Sequence, residues 1–127
     1  MWSTESEQMA RSQGFVTRAE QQVLLDSTVM LAGVGGAGFP LGLNLAREGV
    51  QHFIVADPDV IAESNFNRHP GAFVSTLNQN KAEVFNKMVK DINPDAEVTV
   101  CADGVNKDNV EDMVTHADLV FDGIDFN

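Results

Sequence analysis

The sequence predicts an α/β fold in which a doubly wound, mostly parallel sheet carries helices on both faces. Short apolar runs rich in β-branched residues alternate along the chain with segments whose apolar residues recur at helical spacing. A glycine-rich stretch, LAGVGGAGFP, joins the first apolar run to the next helical segment. Such alternation favours parallel strands, because each strand is then followed by a right-handed helical crossover to the next.

The first predicted element is a short N-terminal helix, TRAEQQVLLD. Thr17 and Glu20 have the spacing of a capping box, in which each side chain accepts a hydrogen bond from the other residue's backbone N–H. Residues 1–12 are polar, and we expect them to be loosely ordered. The sequence therefore divides into an N-terminal segment, residues 1–16, and a single domain, residues 17–127.

Four strands and three helices alternate after this helix. Pro40 suits the first turn of the helix that follows the glycines, and Gly49 favours the end of that helix. Asn106 is the expected cap of the last helix. The fourth strand stops close to Asn127 with no closing helix, so we expect the domain to be incomplete at its C-terminus. The predicted strands are STVMLAG, QHFIVAD, AEVTVCA and DLVFDGID, and the helices are FPLGLNLAREG, NKAEVFNKMVKDINP and NKDNVEDMVTHA.

Composition and charge argue against several classes of protein. The 127 residues carry 19 Asp and Glu against 8 Lys and Arg, which gives a formal net charge of −11. Nucleic acids and anionic membrane surfaces require basic patches, so we expect neither as a partner. The chain has one cysteine, no apolar run of membrane-spanning length and no secretory signal pattern at its N-terminus. These features predict a cytoplasmic protein.

The glycines form the pattern Gly33-x-Gly35-x-x-Gly38 between a strand and a helix, as in Rossmann-like nucleotide-binding domains. Gly33 permits a tight turn, Gly35 lets a phosphate approach the backbone, and Gly38 lets the helix pack closely on the strand. The first N–H groups of the helix then face an anion. Asp57 lies 19 residues after Gly38, at the end of the second strand, where its carboxylate can accept hydrogen bonds from ribose hydroxyls. The pattern therefore predicts a nucleotide-binding site.

The charged residues after Asp57 bear on the choice of nucleotide. Arg68 and Lys81 form a cation pair that suits a triphosphate, because charge builds on the phosphates as a bond to phosphorus breaks. Asp125, at the tip of the fourth strand, offers the oxygen ligand that Mg²⁺ prefers. A dinucleotide oxidoreductase has no evident use for these three side chains. An NAD(P)-binding oxidoreductase domain and a non-catalytic nucleotide-binding module nevertheless remain open as alternatives.

Several ordered motifs resemble the adenylation domain of the ThiF/MoeB/HesA family, the bacterial relatives of the ubiquitin-activating E1 enzymes. The motifs are GVGGAG, ADPDVIAESNFNRH, Lys81, INP and LVFDGID, and the resemblance covers roughly residues 11–127. It implies an enzyme that uses Mg-ATP to adenylate the C-terminal carboxylate of a small ubiquitin-fold carrier protein, with release of pyrophosphate. Residues 17–127 would then be the N-terminal half of the nucleotide-binding adenylation domain.

The resemblance also implies roles for individual residues. The glycine loop and Lys81 hold phosphate, Asp57 holds ribose, and Asp125 serves magnesium. Arg11 resembles an N-terminal arginine that reaches into the partner subunit's site, which implies a homodimer. The candidate nucleotide-binding residues are Gly33, Gly35, Gly36, Gly38, Asp57, Asp59, Ser64, Asn65, Arg68 and Lys81, and the candidate catalytic residues are Arg11, Arg68, Lys81 and Asp125.

Two positions depart from the family's pattern. His69 follows Arg68 where the family usually has glutamine, and Phe126 follows Asp125 where asparagine is usual. Both substitutions keep the charged residues and bear on the choice of substrate. The three histidines of the chain are scattered and show no metal-ligand spacing, so we expect no histidine-based metal site.

Overall fold

The computed structural model describes residues 1–12 and 14–124. Short 3-10 helices at Glu7–Met9, Glu63–Asn65 and Val74–Thr76 lie outside the main elements. No helix among the described residues is long and apolar enough to cross a membrane. In chain order, the main elements are α1 (Arg18–Asp26), β1 (Thr28–Ala32), α2 (Gly38–Arg47), β2 (His52–Ala56), α3 (Lys81–Ile92), β3 (Glu97–Cys101), α4 (Val110–Thr115) and β4 (Leu119–Asp122).

The four strands form one parallel sheet in the order β3-β2-β1-β4. The chain therefore moves outward from β1 through β2 to β3, and then returns across the sheet to pair β4 with the other side of β1. This reversal puts the loops that leave β1 and β4 side by side. Open α/β sheets bind ligands at such a switch point, beyond the carboxyl ends of the strands.

Both faces of the sheet are covered, as the doubly wound prediction requires. On one face, Leu31 and Phe53 pack in a core with Phe39 of α2 and Phe85 of α3. On the other face, alternate residues of the same strands form a smaller cluster with Met113 of α4. Successive strand residues point to opposite faces, so strands of this kind read as continuous apolar runs. The predicted Rossmann-like α/β fold is confirmed.

The capping box of α1 is present as the sequence predicts. The hydroxyl oxygen of Thr17 accepts the N–H of Glu20 at 3.1 Å, and the Glu20 carboxylate accepts the N–H of Thr17 at 2.9 Å. The backbone and side-chain hydrogen bonds of Thr17 lower the pKa of Glu20. Because the pKa of Glu20 is lowered on folding, this hydrogen-bonded pair stabilises the fold at pH values above the ordinary glutamate pKa. That stabilisation is lost as the pH falls through the pKa of Glu20 in the folded protein.

Removing this cap by the Thr17→Ala substitution is expected to lower the free energy of unfolding by about 1 kcal/mol, because an N–H at the helix end loses its partner. Urea unfolding of the chain measures the change. Thr115→Ala is the matched control: the Thr115 hydroxyl donates to the Glu111 carbonyl within α4 and caps no helix. Equal stability of the Thr17 variant and the native chain would contradict the prediction.

The N-terminal segment differs from the expected loose order. Met9 is completely buried, and its sulfur packs at the helix end marked by Gly49. The backbone N–H of Trp2 donates to the Gln51 side chain at 2.7 Å, and the Gln51 amide donates back to the Trp2 carbonyl. The Trp2–Gln51 bonds join residues 49 positions apart, so the composition of the segment alone does not reveal them.

The last helix is shorter than predicted. The sequence predicts a helix from residue 106 capped by Asn106, whereas α4 begins at Val110. The Asn106 side chain accepts the N–H groups of Asp108 and Asn109, at 2.8 and 3.0 Å. Asn106 therefore forms a turn with its own neighbours, which is the local bonding that lets asparagine compete with helix formation.

Candidate functional site

A cavity of about 350 Å³ opens beyond the carboxyl ends of the strands. All four strands contribute to it, because each of the loops that leave them supplies part of the wall. Its described lining residues are Gly33, Gly35, Ala56, Asp57, Pro58, Asp59, Lys81, Asp103, Gly104, Val105, Gly123 and Ile124.

The glycine loop forms the wall of the cavity next to β4. Gly33 has φ +95°, and its N–H donates to the Ala56 carbonyl at 2.8 Å. A Cβ at Gly33 would lie 2.8 Å from the carbonyl oxygen of Gly123, so both the turn and the close strand packing require glycine. A Cβ at Gly35 would meet no atom within 4 Å. The backbone at Gly35 is therefore open towards the cavity and accessible to a ligand.

The carboxylate of Asp57 is buried behind this loop, with only 6% of the residue exposed. One oxygen accepts the N–H of Val34 at 2.9 Å, and the other accepts the N–H of Asp59 at 2.8 Å. A carboxylate has about four lone-pair sites, so these two bonds leave further acceptor capacity towards the cavity. Asp57 thus joins the glycine loop to the segment after β2 and can also accept ribose hydroxyls.

Lys81 reaches the cavity because α3 begins there. Asn80 caps α3 by accepting the N–H of Glu83, and its amide donates to the Asp57 carbonyl at 2.8 Å. The N–H of Lys81 donates to the Asp59 carbonyl at 2.9 Å. No carboxylate of the described residues lies within ion-pair distance of the Lys81 ammonium. Lys81 therefore has no carboxylate partner in the described part of the chain, and the other charged residues described in the cavity wall are acidic.

Arg68 lies against the outer side of the glycine loop. Its aliphatic carbons would be 3.8 Å from a Cβ on Gly36. The guanidinium donates to the Ser64 carbonyl at 3.0 Å and to the Asn67 side chain at 2.8 Å. Neither partner is charged, so the positive charge of Arg68 stays available to an anion at the loop. Arg68 therefore lies beside the glycine loop but does not line the cavity.

Ser64 and Asn65 lie in the 3-10 helix of the segment between β2 and α3. Asn65 is buried, and its side-chain oxygen accepts the N–H of Ala62 at 2.8 Å. Ser64 is exposed and orients Arg68 through its carbonyl. Neither residue lines the cavity. In this structure they shape the segment that carries Arg68.

Two other candidate residues are not placed at the cavity by the described structure. Arg11 is exposed, and the hydroxyl of the adjacent Ser12 donates to Glu48 at the C-terminal end of α2. The cavity lies at the other end of that helix. Asp125, the candidate magnesium ligand, lies outside the described residues. Among the described residues, no group of three His, Cys, Asp or Glu side chains converges as a metal site.

His69 has a structural role that the sequence did not indicate. The residue is 5% exposed, and its ring packs edge-on against Phe39 at 4.5 Å between centroids. Its Nε2 lies 2.8 Å from the Val34 carbonyl, and its Nδ1 accepts the N–H of Gly71 at 3.0 Å. Burial is the main cause that lowers the pKa of His69. His69 is therefore a neutral side chain that contacts the glycine loop.

The wall contributed by β3 was missed from the sequence, and at β4 only Asp125 was predicted, without Gly123 and Ile124. Asp103, Gly104 and Val105 follow β3, while Gly123 and Ile124 follow β4. Gly104 has φ +79°, and a Cβ there would lie 3.0 Å from Pro58. A usable signal was their position, since every loop that leaves a parallel strand emerges at the same edge of the sheet.

Comparison with known proteins places this site in a family. The model of the ThiF family matches residues 6–126. The chain is 34% identical over 105 residues to the sulfur carrier protein ThiS adenylyltransferase of Escherichia coli, which covers 83% of this chain and 42% of that protein. It is 36% identical over 125 residues to the vegetative HesA protein of Trichormus variabilis, which covers 94% of this chain and 46% of that protein.

Solved structures show the same relationship. The crystal structure of E. coli tRNA N6-threonylcarbamoyladenosine dehydratase, TcdA, in complex with ATP matches with a TM-score of 0.83 and 33% identity, over 93% of this chain and 48% of that chain. The chain therefore spans less than half the length of these relatives. Since the family match extends over residues 6–126, nearly the whole chain, the chain belongs to the ThiF family.

Proposed function

We propose that this chain is the ATP-binding part of an E1-like adenylating enzyme, which activates a carboxylate by transferring AMP to it from Mg-ATP. The cavity is the observation that supports this proposal most directly. It brings the open backbone at Gly35, the buried carboxylate of Asp57 and the ammonium of Lys81, which pairs with no described carboxylate, into one crevice. The adenylyltransferases among the relatives and the ATP complex of TcdA support ATP as the nucleotide.

Different residues of the site are proposed to bind different parts of the nucleotide. The phosphates lie against the N–H groups of the glycine loop and the N-terminus of α2, where the helix dipole favours an anion. Asp57 accepts the ribose hydroxyls, while Lys81 and Arg68 neutralise charge that builds on the phosphates. Asp59, on the cavity wall, is proposed to contribute to the same nucleotide site.

The reaction needs positioning more than proton transfer. A carboxylate oxygen of the substrate attacks the α-phosphorus, the bond from that phosphorus to the bridging oxygen breaks, and pyrophosphate leaves with the electron pair. The product is an acyl-adenylate. The nucleophile is already ionised near neutral pH, so no general base is required. Catalysis then consists of orientation and charge neutralisation, which the cavity's cation and backbone N–H groups can supply.

Magnesium fits the donor set of the cavity. Mg²⁺ prefers oxygen ligands and is commonly held by one or two carboxylates together with phosphates. We propose Asp125 as its ligand, and Ile124, the preceding residue, lines the cavity next to the glycine loop. When bound with ATP, the ion neutralises phosphate charge.

The proposed substrate is the C-terminal carboxylate of a small ubiquitin-fold carrier protein. The relatives include a ThiS adenylyltransferase and a SAMP-activating enzyme, but also tRNA threonylcarbamoyladenosine dehydratases. The net charge of −11 favours a protein over a tRNA, because a polyanion requires many basic contacts. We also propose that Arg11, which does not line the cavity of its own chain, acts in the site of a second copy within a homodimer.

Two measurements test the proposed function. Calorimetric titration of the protein with ATP–Mg is expected to show binding, and titration with NAD is expected to show none. Exchange of labelled pyrophosphate into ATP is then expected with a ThiS-type carrier and not with tRNA that bears threonylcarbamoyladenosine. Binding of NAD without ATP would support the oxidoreductase alternative. Binding of ATP without exchange by the full-length protein with any carrier would support a non-catalytic module.

A further inference from the structure

Two side chains from outside the glycine loop hold one residue within it. Val34, which lies between Gly33 and Gly35, is completely buried. Its carbonyl oxygen lies 2.8 Å from Nε2 of His69, and its N–H donates to Asp57 at 2.9 Å. Asp57 and His69 therefore hold the peptide groups before and after Val34 by hydrogen bonds, and the neighbouring backbone at Gly35 faces the cavity.

The hydrogen bonds of His69 fit only its neutral form. Nδ1 accepts the N–H of Gly71 at 3.0 Å, so the ring proton must be on Nε2, which donates to the Val34 carbonyl. Protonation would put an N–H on Nδ1 that points at the N–H of Gly71. A donor facing a donor in a site that is 5% exposed to solvent cannot be satisfied by water without local rearrangement.

We propose that His69 is a positioning residue for the phosphate-binding glycine loop, that it holds the loop only in its neutral form, and that acidification releases the loop. The consequence for nucleotide affinity rests on the proposed function, since it requires that ATP binds at this loop. His69 contacts no substrate atom in this proposal and acts through Val34.

The charged groups around His69 come from three elements. Burial is the largest influence and lowers the pKa of His69, and the hydrogen bond to Val34 raises it. The positive charges of Lys81, at the start of α3, and of the adjacent Arg68 lower this pKa, whereas the carboxylate of Asp57, at the end of β2, raises it. The net direction is downward. A histidine whose pKa is lowered on folding contributes stability above the unfolded pKa of about 6.5, and this stability is lost as the pH falls through the folded pKa.

The first test uses NMR without nucleotide, so it does not depend on the proposed function. Nitrogen shifts of the His69 ring are expected to show the proton on Nε2 at neutral pH. On acidification from about pH 7.5 through the range in which the His69 ring titrates, the amide signals of Val34 and Gly35 are expected to shift together with that ring. Amide signals that do not follow the ring, or a proton on Nδ1 at neutral pH, would overturn the proposal.

The second test compares ATP–Mg affinity in the native chain, His69→Gln and His116→Gln. Glutamine supplies a donor and an acceptor without titrating, while His116 is an exposed histidine of α4's end that does not line the cavity. ATP itself gains a proton in this range, so the variants are compared at each pH. Because the pKa of His69 is lowered below about 6.5, the native chain and H116Q are expected to lose more affinity than H69Q between about pH 7.5 and about pH 5.5, by a factor of less than about ten.

The outcomes of the two tests separate the two proposals. Equal pH dependence in the native chain and H69Q, or tighter binding by the native chain at the lower pH, would overturn the effect of His69 on nucleotide affinity. Coupled NMR shifts with no ATP binding at any pH would support the positioning of the loop and would contradict the proposed function instead. If H69Q does not fold, the ring and amide titrations of the native chain still decide the positioning role.

Discussion

Replacing Lys81 by alanine is expected to weaken the binding of ATP–Mg by roughly 10- to 100-fold, with little change in the stability of the fold. Of the described residues that line the cavity, only Lys81 carries a positive charge, and no described carboxylate is paired with it. Hydrogen bonds to charged groups contribute about 1.5–3 kcal/mol, which corresponds to that range of affinity. Calorimetric titration measures the affinity, and urea unfolding measures the stability.

Lys87→Ala is the matched control for this substitution. Lys87 lies on the same helix, is exposed, and donates to the Gln79 side chain at 2.8 Å outside the cavity. The Lys87→Ala substitution removes one positive charge, as Lys81→Ala does, so a general effect of net charge on ATP–Mg affinity would appear in both variants. Equal losses of affinity in the two variants would remove Lys81 from the phosphate site.

The Gly38→Ala substitution is expected to lower the free energy of unfolding by about 3 kcal/mol. The added Cβ would collide with the carbonyl oxygen of Gly33 and lie 3.2 Å from its carbonyl carbon. Gly33 cannot easily yield, since its N–H is bonded to the Ala56 carbonyl and its φ is +95°. The gain in helix propensity from glycine to alanine, about 1 kcal/mol, is smaller than this overlap cost. The urea midpoint measures the change.

Gly35→Ala is the counterpart with the opposite expected pattern. A Cβ there has no neighbour within 4 Å, and the residue does not have a positive φ, so the stability should change by less than about 1 kcal/mol. The new methyl group instead occupies the surface where a phosphate is proposed to lie, so the affinity for ATP–Mg should fall. A Gly38 variant as stable as the native chain would contradict the packing argument. Undiminished affinity of the Gly35 variant would contradict the phosphate site.

Features that depend on near neighbours in the chain were predictable. Thr17 and Glu20 cap α1 because they are three residues apart, and Gly49, with φ +113°, follows the end of α2 as expected. The alternation of apolar runs and helical patterns identified all four strands. The signal is strongest for β1 and β2, which are buried on both faces and therefore nearly apolar throughout. Asn106 shows the limit of such signals, because the same side chain can cap a helix or close a turn of its own.

The position of the candidate site was also accessible from the sequence. The glycine pattern, Asp57 and Lys81 each stand at the end of a strand or the start of a helix, and parallel strands bring those ends to one edge of the sheet. The residues that complete the cavity after β3 have the same topological position but belong to no motif, and Gly123 and Ile124 after β4 lie in the LVFDGID motif beside Asp125. Asp103 therefore became evident as a lining residue only when the sheet order was known.

The sequence by itself determined the α/β fold, the glycine loop and the charged residues near that loop, because local hydrogen bonding and hydrophobic periodicity depend only on short stretches of chain. Only the tertiary structure decided that Met9 is buried, that Arg11 lies away from the cavity of its own chain, and that His69 holds Val34 across 35 residues of sequence. The physical reason is that burial and long-range hydrogen bonds depend on which surfaces the folded sheet brings together, and no local pattern specifies them.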